Sequence, residues 1–456
     1  MTIRIPHCQG KTYAVLGLGR TGRAASVALK ESGARVWAWD DNPAARAELG
    51  HEMPAINLRD CNWRQVEALI LSPGIPHTYP EPHPVVAAAR QADIPILSDI
   101  ELLFRACPEA RYIGVTGTNG KSTVTALIAH LLASNGVTVQ IGGNLGQAAL
   151  SLLPLGRDGT YVLELSSYQL ELTPSALCDI AVLLNLSSDH LARHGGWEGY
   201  IAAKKSILRP KGQGSMGIVG IDDAPTRTLL TELAGAGRAL IGISGHGHVQ
   251  GGVWVEDSVL RDDRTGFAAD IGKIATLPGT HNAQNAAASY AAASAAGLAS
   301  EAIIAAMRTY PGLAHRQEIV GRIGGVAYVN DSKATNADAA GKALACYSDI
   351  YWLVGGRAKE GGLAGLASFY PRIRRAYLFG EAEEAFAATL EGEVEFQRCG
   401  DLAKAFACAH RDAQRAGQGV VLLSPACASW DRYANFEARG DHFRALVADC
   451  QRKGAA

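Results

Sequence analysis

The sequence lacks an excess of charge of either sign. Its 456 residues include 43 lysines and arginines against 44 aspartates and glutamates, a formal net charge of −1. No overall basic field therefore draws the chain to nucleic acid or to an anionic membrane, and neither is expected as a partner. A polyanionic ligand would have to be bound by local loops.

The sequence also lacks paired cysteines and long apolar runs. Its nine cysteines are scattered without a C-x-x-C spacing, which is typical of reduced thiols in a cytosolic protein rather than of a disulfide framework. No run of about 18 apolar residues is free of polar interruption, and the first ten residues contain no continuous apolar segment. We therefore expect a soluble, cytoplasmic protein without a transmembrane helix.

Glycine, by contrast, is abundant, with 51 residues, and at ~150 residues per domain the length predicts about three domains. Short apolar runs alternate with helical patterns, which is typical of parallel α/β sheets. Pro311 and Gly312 break a helical pattern before the last group of runs. The predicted strands form three groups, at 13–16, 36–39, 68–71 and 94–97, then 111–116, 161–165 and 180–184, then 326–329, 350–354, 376–379 and 420–423.

A first glycine-rich loop, residues 17–22 (GLGRTG), follows the first predicted strand, and Asp40 ends the next one. Glycines in this context let the backbone approach a diphosphate at a helix N-terminus, and the acid can accept a hydrogen bond from a ribose hydroxyl. From these residues alone two interpretations stay open. The loop binds a diphosphate, or it is a glycine turn that only packs a helix on a strand.

A second loop, residues 115–123 (VTGTNGKST), lies between a predicted strand and an amphipathic helix. Gly120, Lys121 and Ser122 match the end of a Walker A loop, in which backbone N–H groups bind phosphates, the ammonium reaches the terminal phosphates and the hydroxyl binds Mg²⁺. The strict spacing is absent, because the earlier glycine is Gly117 rather than position 115. The context favours a nucleotide phosphate site over a coincidental surface loop.

The second loop resembles the variant phosphate loop of the Mur ligases, the ATP-dependent amino-acid-adding enzymes of peptidoglycan synthesis, and that of the related folylpolyglutamate synthases. Further motifs similar to those of the Mur ligases follow in that family's order over essentially the whole chain. They stand at 142–146, 163–170, 185–190, 202–205, 277–282, 314–316, 330–336 and 423–429. The last motif, extended to position 440, is most similar to that of the D-glutamate-adding members.

The resemblance implies an α/β protein with three domains in series. It predicts an N-terminal Rossmann-like domain over 1–106 for a uridine diphosphate sugar, a central P-loop-type ATPase domain over 107–312, and a C-terminal Rossmann-like domain over 313–456 for an amino acid. The implied activity is ADP-forming addition of D-glutamate to UDP-N-acetylmuramoyl-L-alanine, by a monomer. ATP would phosphorylate the alanyl carboxylate, and the amine of glutamate would attack the acyl phosphate through a tetrahedral intermediate.

The resemblance also assigns residues to each substrate. The residues expected to bind ATP are Gly117, Thr118, Asn119, Gly120, Lys121, Ser122, Thr123, Asn282, Asn285, Arg316 and Asp331. Those expected to bind the UDP-sugar are Arg20, Thr21, Asp40, Gly74 and Asn144. Those expected to bind the amino acid are Thr335, Lys359, Ser429 and Phe436.

Two magnesium ions are implied as cofactors, with ATP as co-substrate. Ser122 and Glu164 would bind the first ion, while His190 and a carbamylated Lys204 (N6-carboxylysine) would bind the second. Glu164 lies in an apolar strand segment, where a buried carboxylate is costly without a metal or another cation beside it. The adjacent Lys205 is an alternative to Lys204 for this role, and only the Ala-Ala-Lys spacing favours Lys204. The residues expected to act in catalysis are Lys121, His190, Lys204 and Lys333.

Other functions stay open at this point. A Mur ligase that adds L-glutamate or another amino acid is a close alternative, because the stereochemistry of the amino acid cannot be read from these motifs. The first loop by itself also fits a nicotinamide-dependent oxidoreductase, which would leave Glu164 and His190 unexplained. A non-catalytic nucleotide switch would not need Lys359 and Ser429. The chain departs from the family at Arg357, where many relatives carry an acid, so no metal or ATP contact is expected from that position.

Overall fold

The computed structural model describes residues 3–49, 53, 55–175, 178–274, 276–277, 279–359 and 361–455, without the side chains of residues 280, 281 and 453–455. Pro278 of the predicted 277–282 motif lies outside the described residues. Backbone proximity divides the chain into two compact units, which are described separately. They are Met1–Lys273 with Asn282–Tyr310, and Ile274–His281 with Pro311–Ala456.

The first unit begins with a four-stranded parallel sheet in the order β2-β1-β3-β4. Parallel strands are joined by crossover connections, and the helices in these connections cover the faces of the sheet. Every residue of β1 is therefore buried. The strands are β1 (Thr12–Leu16), β2 (Arg35–Trp39), β3 (Val66–Leu71) and β4 (Ile96–Leu97), and the helices are α1 (Arg20–Glu31), α2 (Pro43–Ala47), α3 (Pro84–Gln91) and α4 (Asp99–Ala106).

A nine-stranded sheet follows in the same unit, in the order β13-β12-β11-β10-β9-β8-β5-β7-β6. It is parallel except for the edge, where β12 pairs antiparallel with β11 and β13. Its strands are β5 (Arg111–Thr116), β6 (Thr138–Gly143), β7 (Gly159–Glu164), β8 (Ile180–Leu183), β9 (Met216–Gly220), β10 (Leu240–Ser244), β11 (Val253–Glu256), β12 (Val259–Asp262) and β13 (Phe267–Asp270). Its helices are α5 (Lys121–Ser134), α6 (Ser167–Glu171), α7 (Trp197–Lys205), α8 (Ala224–Gly235), α9 (Thr280–Ala295) and α10 (Ser300–Arg308).

The position of β5 determines where ligands can bind. This strand lies between β7 and β8. The connection from β5 leads to β6, on the β7 side of β5, whereas the connection from β7 leads back to β8, on the opposite side. The strand order reverses there, and ligands of open parallel sheets bind at such a point, outside the carboxyl ends of the strands. The loops after β5, β6, β7 and β8 therefore meet at one edge of the sheet.

The second unit contains a six-stranded sheet in the order β14-β15-β19-β16-β17-β18, in which only β14 runs antiparallel to its neighbour. Two buried apolar clusters cover its faces. The strands are β14 (Glu318–Ile323), β15 (Val326–Asn330), β16 (Ile350–Gly355), β17 (Ile373–Phe379), β18 (Phe396–Gly400) and β19 (Gly419–Leu423). The helices are α11 (Ala337–Leu344), α12 (Glu383–Leu390), α13 (Leu402–Ala416) and α14 (Phe436–Ala455).

These sheets confirm the α/β class, and each of the predicted runs overlaps an observed strand. The domain bounds at 106 and 312 stay a prediction. Across the part of the chain that the structure describes, no helix is long and apolar enough to cross a membrane. The pattern missed β9, which lies in the middle of the nine-stranded sheet, and several strands closer to the sheet edges, namely β6, β10 to β13, β14 and β18.

Candidate active site

The phosphate loop connects β5 to α5. Gly117 and Gly120 have φ values of 151° and 84°, and Gly120 occupies the position just before the helix. A Cβ atom on Gly120 would lie 2.4 Å from Oδ1 of Asn285 on α9, so this position requires glycine for both its conformation and its close contact. The first backbone N–H groups of α5 have no partner within the helix, which makes this end suited to phosphate oxygens.

The side chains of Lys121 and Thr118 form hydrogen bonds around the phosphate loop. Lys121 Nζ donates hydrogen bonds to the carbonyl oxygens of Gly117 and Thr118, both at 2.9 Å. Thr118 Oγ1 lies 2.8 Å from the hydroxyl of Tyr200, which comes from α7. Asn119 belongs to the same loop and Thr123 to the first turn of α5, so residues 117–123 form one continuous strand-to-helix turn, as the motif predicted.

A buried polar group joins the ends of β6 and β7 to α5. Glu164, the last residue of β7, is 3% exposed. Its Oε2 accepts a hydrogen bond from Ser122 Oγ at 2.6 Å, and its Oε1 accepts one from Asn144 Nδ2 at 2.9 Å. A hydroxyl and a carboxylate are oxygen donors of the kind that Mg²⁺ prefers, so this pair fits the expected metal. Asn144, expected to bind the UDP-sugar, lies at the same place.

The two adjacent lysines of α7 have different environments. Lys204 is 2% exposed, donates to the carbonyl oxygen of Gly117 at 2.8 Å, and lies 4.9 Å from the ring centre of Tyr200. The pKa of Lys204 is lowered to about 7, mainly by burial and to a smaller extent by the positive charge of Lys121. Lys205 instead forms an ion pair with Glu232 at 2.6 Å. Lys204 therefore has the burial and the lowered pKa that carbamylation needs.

His190 lies after β8, on the same side of the sheet. Its φ is 50°, and its half-exposed ring lies 5.4 Å from the ring of Tyr168. Its Nε2 is 3.5 Å from Asp189 Oδ2. Among the described residues no group of three or more His, Cys, Asp and Glu side chains is arranged to hold a metal ion. Lys204, the other residue expected at the second site, becomes an anionic oxygen donor only after carbamylation.

The residues expected to bind the base begin α9. Asn282 and Asn285 are both buried, and Asn285 Nδ2 donates to Asn282 Oδ1 at 2.9 Å. Because Asn285 also lies against Gly120, the structure brings the phosphate loop and the start of α9 together.

The first glycine loop is held mainly by its own acid. Asp40 accepts hydrogen bonds from the backbone N–H groups of Leu18 at 2.7 Å and Asn42 at 2.8 Å. Arg20, which opens α1 together with Thr21, donates to the carbonyl oxygen of Gly146 at 2.6 Å. The loop therefore contacts the segment that follows Asn144. Gly74 is exposed in the loop after β3.

In the second unit, Asp331 follows β15 and is buried. Its carboxylate accepts hydrogen bonds from Ser424 Oγ at 2.7 Å and from Gln317 N at 3.2 Å. Burial raises its pKa to about 7. Two residues along the chain, Lys333 Nζ lies 3.9 Å from the ring centre of Phe436, the first residue of α14, which is a cation–π contact.

Arg439 ties together the loops around these residues, and no motif in the sequence predicted this role. This fully buried side chain from α14 donates to the carbonyl oxygens of Ser332 at 2.8 Å, Cys427 at 3.0 Å and Ala428 at 3.3 Å. It therefore ties the segment before Lys333 to the loop that carries Ser429. The signal available in the sequence was an arginine one helical turn into α14, which by itself is indistinguishable from a surface arginine.

The remaining predicted residues of this unit are less enclosed. Arg316 precedes β14 and Thr335 precedes α11, both partly buried, while Lys359 is exposed after β16. Arg357 forms a two-fold hydrogen-bonded ion pair with Glu381, at 2.8 and 2.9 Å. The basic residue that departs from the family pattern is thus used in a surface ion pair.

Family models and curated relatives both match this chain. Two family models match, the Mur ligase middle domain over residues 115–293 and the Mur ligase glutamate ligase domain over residues 315–427. The chain is 52% identical to the UDP-N-acetylmuramoylalanine–D-glutamate ligase of Paramagnetospirillum magneticum over 100% of both chains. It is 50% identical to that of Rhodospirillum rubrum, over 98% of this chain and 96% of the relative.

Solved structures show the same fold. The UDP-N-acetylmuramate–alanine ligase of Thermotoga maritima matches with a TM-score of 0.58 and 16% identity, over 97% of this chain and 99% of that one. A UDP-N-acetylmuramoyl-L-alanyl-D-glutamate–2,6-diaminopimelate ligase matches with a TM-score of 0.55 and 21% identity, over 97% and 93%. By its sequence identity to the curated relatives over their full length, this chain belongs to the Mur ligase family.

Proposed function

We propose that the chain is an ADP-forming ligase that joins D-glutamate to UDP-N-acetylmuramoyl-L-alanine in peptidoglycan precursor synthesis. The observation that carries the proposal is the convergence of the phosphate loop, the buried Glu164–Ser122 pair and the buried Lys204 at one edge of the nine-stranded sheet. The full-length identity to D-glutamate ligases supports the choice of amino acid.

The phosphate loop would activate the carboxylate. An amide does not form from a free carboxylate and an amine, so the γ-phosphoryl group of ATP is first transferred to the alanyl carboxylate. Such a transfer needs positioning and positive charge more than covalent help. Lys121 and the N-terminus of α5 would supply that charge, while Asn282 and Asn285 would bind the base. Arg316 and Asp331 would complete the ATP ligands.

The residues present fit two magnesium ions, Ser122 and Glu164 for one and His190 with carbamylated Lys204 for the other. When bound, these ions would neutralise charge that develops on the transferring phosphoryl group. Carbamylation joins a neutral lysine amine to carbon dioxide and releases a proton. The lowered pKa of Lys204 provides that neutral amine.

The other substrates would bind to loops of each unit. We propose that Arg20, Thr21 and Asp40 bind the UDP-sugar together with Gly74 and Asn144. In the second unit, cations, hydroxyls and backbone N–H donors would bind the two carboxylates of glutamate. These residues are Lys333, Thr335, Lys359, Ser429 and Phe436.

We further propose three domains with bounds at 106 and 312, acting as a monomer in the cytoplasm. The three separate sheets support the division. Each of the nine cysteines is a free thiol, which fits a reducing compartment.

The proposal is tested by the release of ADP. Purified protein is incubated with ATP, Mg²⁺ and UDP-N-acetylmuramoyl-L-alanine, and D-glutamate, L-glutamate, L-lysine or meso-diaminopimelate is offered in parallel. We expect turnover with D-glutamate, and none when the sugar nucleotide is omitted. Turnover with L-glutamate alone would identify the stereochemical variant, and turnover only with lysine or diaminopimelate would refute the proposed amino acid.

A further inference from the structure

Asn185 follows β8 and has no role in the function proposed above, although its side chain contacts the phosphate loop. Its Oδ1 accepts a hydrogen bond from the backbone N–H of Asn119 at 2.8 Å, and its Nδ2 donates to the backbone carbonyl of Asn119 at 3.2 Å. Its own carbonyl accepts from the N–H of Thr118 at 3.0 Å. Three hydrogen bonds from one residue thus hold two consecutive residues of the loop.

The same amide also reaches α9. Asn185 Nδ2 donates to Gln284 Oε1 at 3.2 Å, and Gln284 Nε2 donates to Asp222 Oδ2 at 2.8 Å. Gln284 is tightly packed, since a Cβ atom on Gly220 would lie 2.9 Å from its Nε2 and one on Gly245 would lie 2.8 Å from its backbone N. Gln284 is therefore a rigid point on α9 to which the loop is attached through Asn185.

Only a neutral amide satisfies all of these partners. The N–H of Asn119 needs an acceptor, while the carbonyl of Asn119 and the Oε1 of Gln284 both need a donor. An aspartate of the same size would accept but could not donate, because an ionised carboxylate has no N–H or O–H. It would place negative charge against two oxygen atoms and beside a loop that binds anionic phosphates.

We propose that Asn185 is a positioning residue that holds the phosphate loop in register with α9, so that one nucleotide is bound by its phosphates and its base together. Gln284 lies between Asn282 and Asn285 in sequence, and the loop holds Lys121, so the connection spans the two halves of the ATP site. Preorganisation of this kind lowers the cost of ordering the loop when the ligand binds. The inference rests on the proposed ATP-binding function of this site.

The experiment compares full-length Asn185→Asp and Asn185→Ala with wild type. The control is Asn135→Ala, which removes a side-chain hydrogen bond to Leu131 O at the opposite end of α5. Dissociation constants are measured by calorimetry for ADP and a non-hydrolysable ATP analogue. The KM for ATP, the KM for the sugar nucleotide, kcat and the unfolding temperature are also measured.

For Asn185→Asp we expect nucleotide dissociation constants and the KM for ATP to rise roughly tenfold or more, because the hydrogen bonds donated to Asn119 and Gln284 are lost and a negative charge is placed beside the phosphate loop. Asn185→Ala should show a smaller rise of the same kind. The KM for the sugar nucleotide should stay unchanged in both variants, and Asn135→Ala should bind nucleotide as wild type does.

The outcomes separate two failures. If wild type binds neither ADP nor the ATP analogue, the proposed function is wrong. If wild type binds them and both Asn185 variants bind them equally well, the positioning role is overturned. A parallel rise in both KM values with a lowered unfolding temperature would likewise overturn it, because a purely structural role would affect the two substrates alike.

Discussion

At the residue scale, the clearest contrast is between two neighbouring lysines. Lys204 and Lys205 have the same side chain and adjacent positions, yet the first is buried against the phosphate loop and the second pairs with Glu232. Successive side chains on a helix point about 100° apart, as 3.6 residues per turn requires. The direction in which α7 packs therefore gives the two lysines different chemistry.

This contrast yields a matched pair of variants. Lys204→Ala should lower ADP release by more than about a hundredfold, because it removes charge stabilisation from the transferring group. Short carboxylic acids added to this variant should restore part of the activity by supplying the missing carboxylate. Lys205→Ala should remain close to wild type. Full activity of Lys204→Ala without additives would refute the assignment.

Asp331 shows how burial changes a residue's charge. Its pKa in the folded chain is about 7, above the value near 3.9 of an unfolded chain. Between about pH 4 and 7 the folded state thus keeps a proton that the unfolded state has lost. The contribution of Asp331 to stability is greatest below about pH 4 and falls as the pH rises through 7.

We therefore expect the urea midpoint of wild type to fall between pH 5 and pH 8, and that of Asp331→Asn to fall less. The rise in the pKa of Asp331 from about 3.9 to about 7 corresponds to at most ~4 kcal/mol of stability, at ~1.4 kcal/mol for each pKa unit. Asparagine has no titrating proton and keeps an oxygen that can accept from Ser424. Equal declines in the two proteins would show that other groups control the pH dependence.

At the scale of single elements, α5 is bounded by two glycines with nearly the same positive φ. Gly120 and Gly136 have φ values of 84° and 82°. A Cβ atom on Gly120 would lie 2.4 Å from Asn285 Oδ1, whereas one on Gly136 would have no atom within 4 Å. The helix needs both glycines for its turns, but only the first for its contact with α9.

Gly120→Ala and Gly136→Ala should separate these requirements. Both variants carry the cost of a positive φ, about 1 kcal/mol, and should lower the unfolding temperature slightly. Only Gly120→Ala should also lose affinity for ADP, by roughly tenfold or more, since Asn285 and the loop must move apart. Calorimetric titration with ADP measures this, and equal losses in both variants would contradict the explanation.

For the whole molecule, the proposed ligands are distributed over two units. The phosphate loop and the base-binding asparagines belong to the first unit, while Lys359 and the other proposed glutamate ligands belong to the second. Replacing one of the proposed glutamate ligands should therefore change the KM for glutamate more than the dissociation constant for ADP.

Lys359→Ala should raise the KM for glutamate about tenfold or more, the typical value of one hydrogen bond to a charged group. Its dissociation constant for ADP should stay that of wild type. Lys404→Ala is the control, because Lys404 is an exposed lysine of the same unit that pairs with Asp401. An unchanged KM for glutamate in Lys359→Ala would remove this residue from the proposed site.

Most of the strands that could be predicted from the sequence carry a compact apolar run. Runs such as 112–115 and 350–354 contain no charged residue and are fully buried, because helices cover both sides of a central parallel strand. β6 carries mostly half-buried residues, and β11 to β13 are short. Such edge strands lack a continuous apolar run, so their composition resembles that of loops.

Local sequence was sufficient for the α/β class, most of the central strands and the phosphate loop, because glycine conformation, helix starts and apolar runs depend on near neighbours in the chain. Tertiary structure alone decided that Lys204 rather than Lys205 is buried, that Asp331 has a raised pKa, and that Arg439 ties two loops together. It also placed Asn185 beside Gln284, 99 residues away. Burial and long-range hydrogen bonding depend on which elements pack together, and no short segment of the chain contains that information.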